Sequence, residues 1–202
     1  MDALEGTDPP AVINVLLDYG LTGNHDLSSY MSLLYKAVEM KKRDVVKLLL
    51  DHGADVNRQK PELALIEAIR SDDPDMVSLL VKHGAFTEES NAFGYALTNR
   101  RIRSVMLLLE HGADINDTVT VRCDENGALS KIKVDTPLHR VIMARPKPSE
   151  ATCSLEELIR FLLMNGANAD IVNDKGKTPL QVARRKRKKG VIKIFEEFGV
   201  KK

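Results

Sequence analysis

The chain has 202 residues, of which 43% are hydrophobic and 29% charged, so it can hold both a packed core and a polar surface. Its net charge of +1 argues against a nucleic-acid binder by overall charge, and its two cysteines give neither a disulfide framework nor a metal-ligand spacing. No signal peptide is visible, and no run approaches the roughly 18 apolar residues of a membrane span. We therefore expect a soluble, intracellular protein of the cytoplasm, the nucleus or both, with no membrane contact.

Glycine ends a helix-like apolar run six times along the chain. The six positions are Gly20, Gly53, Gly84, Gly112, Gly166 and Gly199. They are separated by 33, 31, 28, 54 and 33 residues. A period of this size is typical of a solenoid, in which each unit buries its apolar face only against its neighbours. Each glycine predicts the left-handed turn that follows a helix.

The starts of the predicted helices fit the same period. Asp8 and Asp73 each precede a proline, which predicts an N-cap followed by proline at the first helical position. Ser154 with Glu157 reads as a capping box. A shorter helix with a small residue precedes each longer one, and in three repeats nine residues separate it from a valine: Ala37 to Val46, Ala68 to Val77, and Ala96 to Val105. The predicted unit is therefore a helix–turn–helix with loops of variable length.

These residues resemble the ankyrin repeat family, whose units open with TPLHxA and close near HGADVN. Residues 136–139 and 178–183 match the opening, and residues 48–57 and 107–116 match the close. The resemblance covers residues 9–200 and implies an all-α, ankyrin-type helix-turn-helix solenoid with β-hairpin fingers. The predicted domain is one array over residues 1–202, with units near 8–22, 29–55, 61–86, 91–115, 136–168 and 178–200.

Two inserts interrupt the fourth period. The enlarged finger, residues 117–135, alternates apolar and polar residues on both sides of Asn126-Gly127, which predicts a long β-hairpin. The proline insert, residues 145–153, should be non-helical and emerge at the end opposite the fingers. Inserts in repeat proteins often reach the binding face, whereas neutral surface growth is the alternative.

Histidines recur at one position of successive repeats, at His52, His83 and His111. A metal site is one interpretation, but the resemblance implies histidines that bridge neighbouring loops by hydrogen bonds. His139, in the TPLH motif, receives the same interpretation. We therefore predict no metal site and no cofactor.

The sequence carries no established catalytic motif. Cys123 and Cys153 lie in the two inserts without an adjacent histidine, which disfavours a nucleophile. Asn57 and Asn116 are expected to form hydrogen bonds within finger turns. We predict that the protein is not an enzyme; an activity hidden in the inserts is the third hypothesis.

The resemblance implies that first helices and fingers line a concave groove. The predicted partner-binding residues are Tyr35, Lys36, Met40, Arg58, Arg70, Tyr95, Asn99, Arg100, Arg101, Val121, Arg122, Lys133, Arg140 and Met143. Tyrosine, arginine and methionine are enriched in interface cores, and a basic middle favours a protein or peptide of acidic character. A merely solvated groove is the alternative. The favoured function is a monomeric, non-enzymatic scaffold or adaptor.

Six consecutive cations form a basic cluster: Arg184, Arg185, Lys186, Arg187, Lys188 and Lys189. They support the second hypothesis, a nuclear regulator that contacts nucleic acid or an import receptor through this cluster. The alternative is a solvated end cap, since cations favour a helix C-terminus. No aromatic residues interleave with the cluster, which argues against arrayed RNA binding. The first 26 residues hold five acidic and no basic residues, so the predicted array is negative at its start and positive at its end.

Overall fold

The computed structural model describes residues 26–28, 31–57, 63–85, 91–123, 129–133, 135–146 and 151–200. The chain divides into two compact units, residues 1–86 and 87–202. The first predicted repeat, with Asp8 and Gly20, lies outside the described residues, as does Arg58. Across the described ranges, every helix is too short or too polar to traverse a bilayer.

The described part of the first unit contains two helix–turn–helix pairs. Its described elements are β1 (Asp26–Ser28), β2 (Met31–Ser32), α1 (Leu33–Glu39), α2 (Arg43–Asp51), α3 (Leu63–Arg70) and α4 (Pro74–Lys82). The strands pair antiparallel, and α1 packs against both α2 and α3. These helices have seven to nine residues, fewer than the roughly 12–15 that an isolated helix needs in water. They are therefore stabilised by buried contacts, with Leu34, Leu49 and Leu65 at most 2% exposed.

The second unit repeats this arrangement three times. Its described elements are α5 (Asn91–Thr98), α6 (Ile102–Glu110), β3 (Val119–Cys123), β4 (Leu129–Lys133), α7 (Pro137–Met143), α8 (Leu155–Met164), α9 (Pro179–Arg185) and α10 (Lys189–Glu197). The first helices of its pairs, α5, α7 and α9, pack side by side, and the second helices α8 and α10 also pack together. Leu97, Leu108, Leu138, Leu158 and Phe195 form part of its core.

The predicted caps are present wherever the chain is described. Asp73 accepts a hydrogen bond from the backbone N–H of Met76 at 3.0 Å, and Ser154 forms the predicted capping box with Glu157. The helix-ending glycines take φ values from +74° to +95°. The five that do so are Gly53, Gly84, Gly112, Gly166 and Gly199. The helix ends predicted from the sequence are thereby confirmed at these positions.

In four of the described helix pairs, the turn between the two helices has a left-handed residue that is not glycine. Lys41, Asp72, Arg100 and Arg187 occupy this position, with φ from +52° to +57°. A side chain disfavours this conformation. No composition signal marked these residues, because glycine is the usual indicator of a left-handed turn.

The enlarged finger contains the predicted hairpin. Strands β3 and β4 pair antiparallel, from Val119 opposite Lys133 to Cys123 opposite Leu129. The Asn126-Gly127 turn lies outside the described residues. The side chains of Val121, Arg122 and Lys133 are likewise not described, so their partner contacts stay predictions.

Candidate functional site

In the first unit, the predicted groove residues belong to α1 and α3 or follow α1 directly. Lys36 pairs with Glu39 at 2.5 Å, and this hydrogen bond raises the pKa of the lysine. Arg70 donates to Glu67 from two nitrogens, at 2.9 and 2.7 Å. Met40, immediately after α1, keeps 43% of its surface exposed. Of the predicted binding residues in the first unit, Met40 is therefore an apolar one that remains exposed to solvent.

Tyr35 of α1 is only partly exposed. Burial raises the pKa of its hydroxyl, and the carboxylates of Glu67 and Glu39 act in the same direction. A tyrosine in this position supplies a rigid, amphipathic surface rather than an ionisable group at neutral pH.

In the second unit, Tyr95, Asn99, Arg140 and Met143 lie on first helices or in the turn after one. Asn99 donates to the carbonyl of Tyr95 at 3.0 Å. The guanidinium of Arg140 lies against α5 at Gly94, where a Cβ would be 2.5 Å from Nη1. Met143, at the end of α7, is 38% exposed. The helix glycine thus gives the arginine of the next repeat room to lie across α5.

Arg101 departs from its predicted position. The residue is only 7% exposed, because it is the N-cap of α6, at the turn between two packed helices. Its backbone N–H donates to the carbonyl of Ala96 at 2.8 Å, and its carbonyl accepts from Val105 at 2.9 Å. Arg101 therefore exposes less surface than an open groove position implies, and its part in partner binding stays a prediction.

The end of the proline insert is fixed to the preceding repeat. Thr152 donates to the carbonyl of Arg100 from its backbone N–H at 3.3 Å and from its hydroxyl at 2.9 Å. The thiol of Cys153 donates to the same oxygen at 3.4 Å, and the hydroxyl of Thr152 accepts from Ile102. The insert therefore reaches the inter-helix turn, the end of the repeat opposite the fingers, as predicted. Arg100 contributes its backbone to this contact.

Cys153 is poorly suited to nucleophilic chemistry. Burial, followed by the charge of Glu157, raises the pKa of its thiol to about 11. The thiol form therefore predominates at neutral pH, whereas nucleophilic attack needs the thiolate.

The finger turn at residues 173–177 is held in a fixed shape. Asn173 accepts hydrogen bonds through Oδ1 from the backbone of Lys175 and Lys177, at 3.0 and 3.1 Å. Its Nδ2 donates to Asp135 at 2.9 Å. His139 Nε2 donates to the carbonyl of Lys177 at 2.8 Å. Two bonds from the preceding repeat thus position this finger.

A concavity of about 870 Å³ opens between this finger and helices α7 and α9, and we name it the concave site. Its charged lining residues are Lys175, Lys177, Arg185, Lys186, Asp135 and Asp174, and Met143 adds an apolar side chain. Four cations and two carboxylates leave it with a net charge of +2. Within the described part of the chain, none of the four cations forms an ion pair.

The basic cluster spans the junction of the last two helices. Arg184 and Arg185 end α9, whereas Lys188 caps the N-terminus of α10 and Lys189 begins it. A helix dipole stabilises cations at a C-terminus and opposes them at an N-terminus. The end-cap interpretation therefore accounts for the first two cations and not for the last two.

Two of the recurrent histidines form a hydrogen bond within their own helix. His52 Nδ1 bonds the carbonyl of Leu48 at 2.8 Å, within its own helix, and His111 does the same with Leu107 at 2.9 Å. His83 lies near the preceding repeat, with Nε2 3.8 Å from an oxygen of Asp51. Among the residues that the structure describes, no three or more side chains of metal-ligating type cluster together.

The two asparagines bond outside their own turns. Asp55 and Asp114 accept the turn hydrogen bonds, from the backbone of Asn57 and Asn116 at 2.8 and 2.7 Å. The side-chain amide of Asn57 instead donates to Gly84 at 2.8 Å. The expected turn bond is therefore made by the aspartates, while the asparagine side chains connect successive repeats.

Comparison with known proteins also points to ankyrin repeats. The family model of ankyrin repeats matches residues 34–119 with three copies. The chain is 29% identical over 133 residues to an ankyrin repeat protein of fowlpox virus, covering 61% of this chain and 16% of that protein. It is 28% identical over 167 residues to human Rabankyrin-5, covering 74% of this chain and 13% of that protein. The chain thus spans about a sixth or less of the length of these curated relatives.

Solved structures share the fold. An ankyrin repeat domain from Acinetobacter baumannii matches with a TM-score of 0.73 at 20% identity, covering 96% of this chain and 94% of that chain. The ankyrin repeat domain of Bcl-3 matches with a TM-score of 0.69 at 25% identity, covering 93% and 77%. Residues 34–119 thus resemble ankyrin repeats in sequence, and the described helices have the predicted all-α, ankyrin-type solenoid fold. Ankyrin repeats are general protein–protein interaction modules and are typically non-enzymatic.

Proposed function

We propose that the protein is a non-enzymatic scaffold or adaptor whose concave site binds an acidic segment of another protein. The observation that carries this proposal is the set of four cations without ion pairs among the described residues, beside the exposed Met143. Charge complementarity increases association rate and specificity, and an exposed methionine adapts to different apolar side chains.

The fixed shape of the finger supports the same function. Asn173 and His139 hold residues 173–177 before any partner arrives, so little conformational entropy is lost there on binding. The lining offers no aromatic side chain on which a base would stack, and Asp135 and Asp174 repel phosphates. These features favour an acidic protein segment over nucleic acid at the concave site.

Charge reversal tests the proposal. The variant carries Lys175→Glu and Arg185→Glu, and the matched control carries Arg103→Glu and Lys193→Glu, which have the same charge change on exposed residues outside the concave site. Proteins captured from cells by the wild type should be retained by the control and lost at least tenfold by the variant. Equal capture by both variants would reject the concave site as the binding surface.

The proposal also includes the oligomeric state and the location of the scaffold. We infer an intracellular monomer, built as one array over residues 1–202, with the faces of the first helices and the fingers as its binding surface. Light scattering after size exclusion tests the monomer, and fractionation of cells that express the tagged chain tests its location.

The basic cluster supports a second candidate function, a nuclear regulator. Five of its six cations are exposed, and none forms an ion pair with a described residue. The segment is folded, with backbone bonds such as Lys188 to Ala183 at 3.0 Å, so a receptor that takes an extended peptide would have to break them. Replacing all six cations with glutamine should reduce nuclear accumulation, or lower the salt dependence of nucleic-acid binding. If neither nuclear accumulation nor the salt dependence changes, only the scaffold function remains.

A further inference from the structure

Two exposed methionines occupy positions that are polar in the other described repeats. Six residues before the helix-ending glycine, the other repeats have Lys47, Ser78, Arg160 and Lys193. Two residues before that glycine, they have Asp51, Lys82, Glu110 and Glu197. Helix α6 has Met106 at the first position, and α8 has Met164 at the second. They are 42% and 72% exposed.

In the second helices α8 and α10, the residues at these two positions form an ion pair. Arg160 of α8 donates from Nη2 to Glu197 of α10 at 2.7 Å. Met106 of α6 and Met164 of α8 are the equivalent residues one repeat earlier. Over the described ranges, no ion pair joins α6 to α8. Where α8 and α10 have an ion pair, α6 and α8 therefore have two exposed methionines, whose contact with water is unfavourable.

A groove lies between these two helices, beside Met106. It has a volume of about 510 Å³, and Met106, Leu109, Ile115 and Phe161 are among the residues that line it. Its charged lining residues are Glu110 and Asp114, both exposed, and its lining includes no cation. We call it the outer groove. It belongs to second helices and shares no lining residue with the concave site.

We propose that the outer groove binds an amphipathic helix of another protein, with lysine or arginine bordering the apolar face of that helix. Met106 and Leu109 are three residues apart on α6, so they share one helix face, and Ala113 extends the apolar lining just beyond the end of the helix. An amphipathic helix binds to an apolar surface of this kind. Methionine adapts to varied apolar side chains. The carboxylates of Glu110 and Asp114 select a basic border, the opposite charge preference to the concave site.

Restoring the polar pair tests the proposal. The variant with Met106→Lys and Met164→Glu keeps the net charge unchanged and places the side chains of an ion pair where the next repeat has one. The probes are a fluorescently labelled helical peptide of leucine and lysine, and the same peptide with glutamate in place of lysine. Fluorescence anisotropy should show the lysine peptide binding the wild type at least tenfold more tightly than the glutamate peptide. The double variant should lose at least tenfold of that affinity.

A control variant separates this surface from the concave site. Met143→Lys removes an exposed methionine from the concave site and should leave the affinity for the lysine peptide unchanged. The double variant should, in turn, capture the partner of the concave site as the wild type does. The experiments can therefore reject the concave site and the outer groove independently of each other.

Three results would overturn the inference. The first is equal affinity of the wild type and the double variant for the lysine peptide. The second is a dimer of the wild type that the double variant abolishes, since a second copy would then cover the groove. The third is a lower unfolding temperature of the double variant, because the methionines would then be needed for packing within the chain. An unchanged or raised unfolding temperature supports the proposal.

Discussion

Asn116 accepts a hydrogen bond through Oδ1 from the backbone N–H of Asn168, at 2.7 Å. The same side chain donates from Nδ2 to the carbonyl of Gly166, at 3.3 Å. One amide therefore connects the loop after α6 with the loop after α8, although both inserts lie between them in the chain. Its position explains how repeats remain in register around long insertions.

Asn116→Ala should lower the free energy of unfolding by about 1–2 kcal/mol, since it removes two hydrogen bonds that contribute about 0.5–1.5 kcal/mol each. Asn116→Asp retains the acceptor and loses the donor, so it should cost less than alanine. Urea unfolding followed by circular dichroism measures both. Wild-type stability of the alanine variant would show that the bridge between loops contributes nothing.

Lys41→Gly should raise the stability by roughly 0.5–1 kcal/mol. The residue has a φ of +57°, which disfavours a side chain by about 1–2 kcal/mol, and part of this gain is offset by the greater freedom of glycine in the unfolded chain. Lys42→Gly is the matched control, because φ there is −87° and glycine should only destabilise. Denaturant midpoints measured side by side decide the matter, and a loss of stability in both variants would contradict the prediction.

Protonation of His139 should destabilise the second unit. Burial lowers the pKa of this histidine below its ordinary value of 6.5, against the opposing effect of its bond to the carbonyl of Lys177. The folded state therefore binds the proton less well than the unfolded state. Its stabilising contribution is complete above pH 6.5 and falls as the pH decreases from there towards the lowered pKa.

Thermal unfolding at successive pH values measures this effect. The wild type should lose more stability below pH 6.5 than His139→Gln does, whereas His52→Gln, a change on an exposed residue, should follow the wild type. Parallel curves for the wild type and His139→Gln would exclude His139 as the group responsible.

Cys153 should react slowly with iodoacetamide at pH 8 in the folded protein. Its thiol has a pKa raised to about 11 by burial, so little thiolate is present. Mass spectrometry of the peptide that contains it gives the rate, and the same chain in denaturant supplies the control. Equal rates in the two states would show that the fold does not protect this thiol.

Local features of the fold were accessible from the sequence because each depends on a few adjacent residues. The N-cap at Asp73 needs only an aspartate before a proline. The capping box of Ser154 and Glu157 needs only that these two residues are three positions apart. The enlarged finger was predicted correctly because strand alternation and a turn signal occur within one short segment. Its side-chain contacts remain a prediction, as do the partner-binding residues of the groove.

Features that depend on contacts between repeats were not accessible in this way. Arg101 looked like a surface cation, but the packing around the start of α6 buries it. His52 was expected to bridge neighbouring loops, yet its Nδ1 bonds the carbonyl of Leu48, four residues earlier in its own helix. The left-handed turn at Lys41 had no glycine to indicate it.

The sequence by itself determined the repeat, its period, the ends of the helices and the location of the two inserts, because these follow from the spacing of residues along one chain. Only the tertiary structure decided which charged side chains are already paired, which are buried, and which apolar side chains remain exposed between helices. The physical reason is that pairing and burial depend on residues such as Arg160 and Glu197, which are distant in sequence and meet only when successive repeats pack.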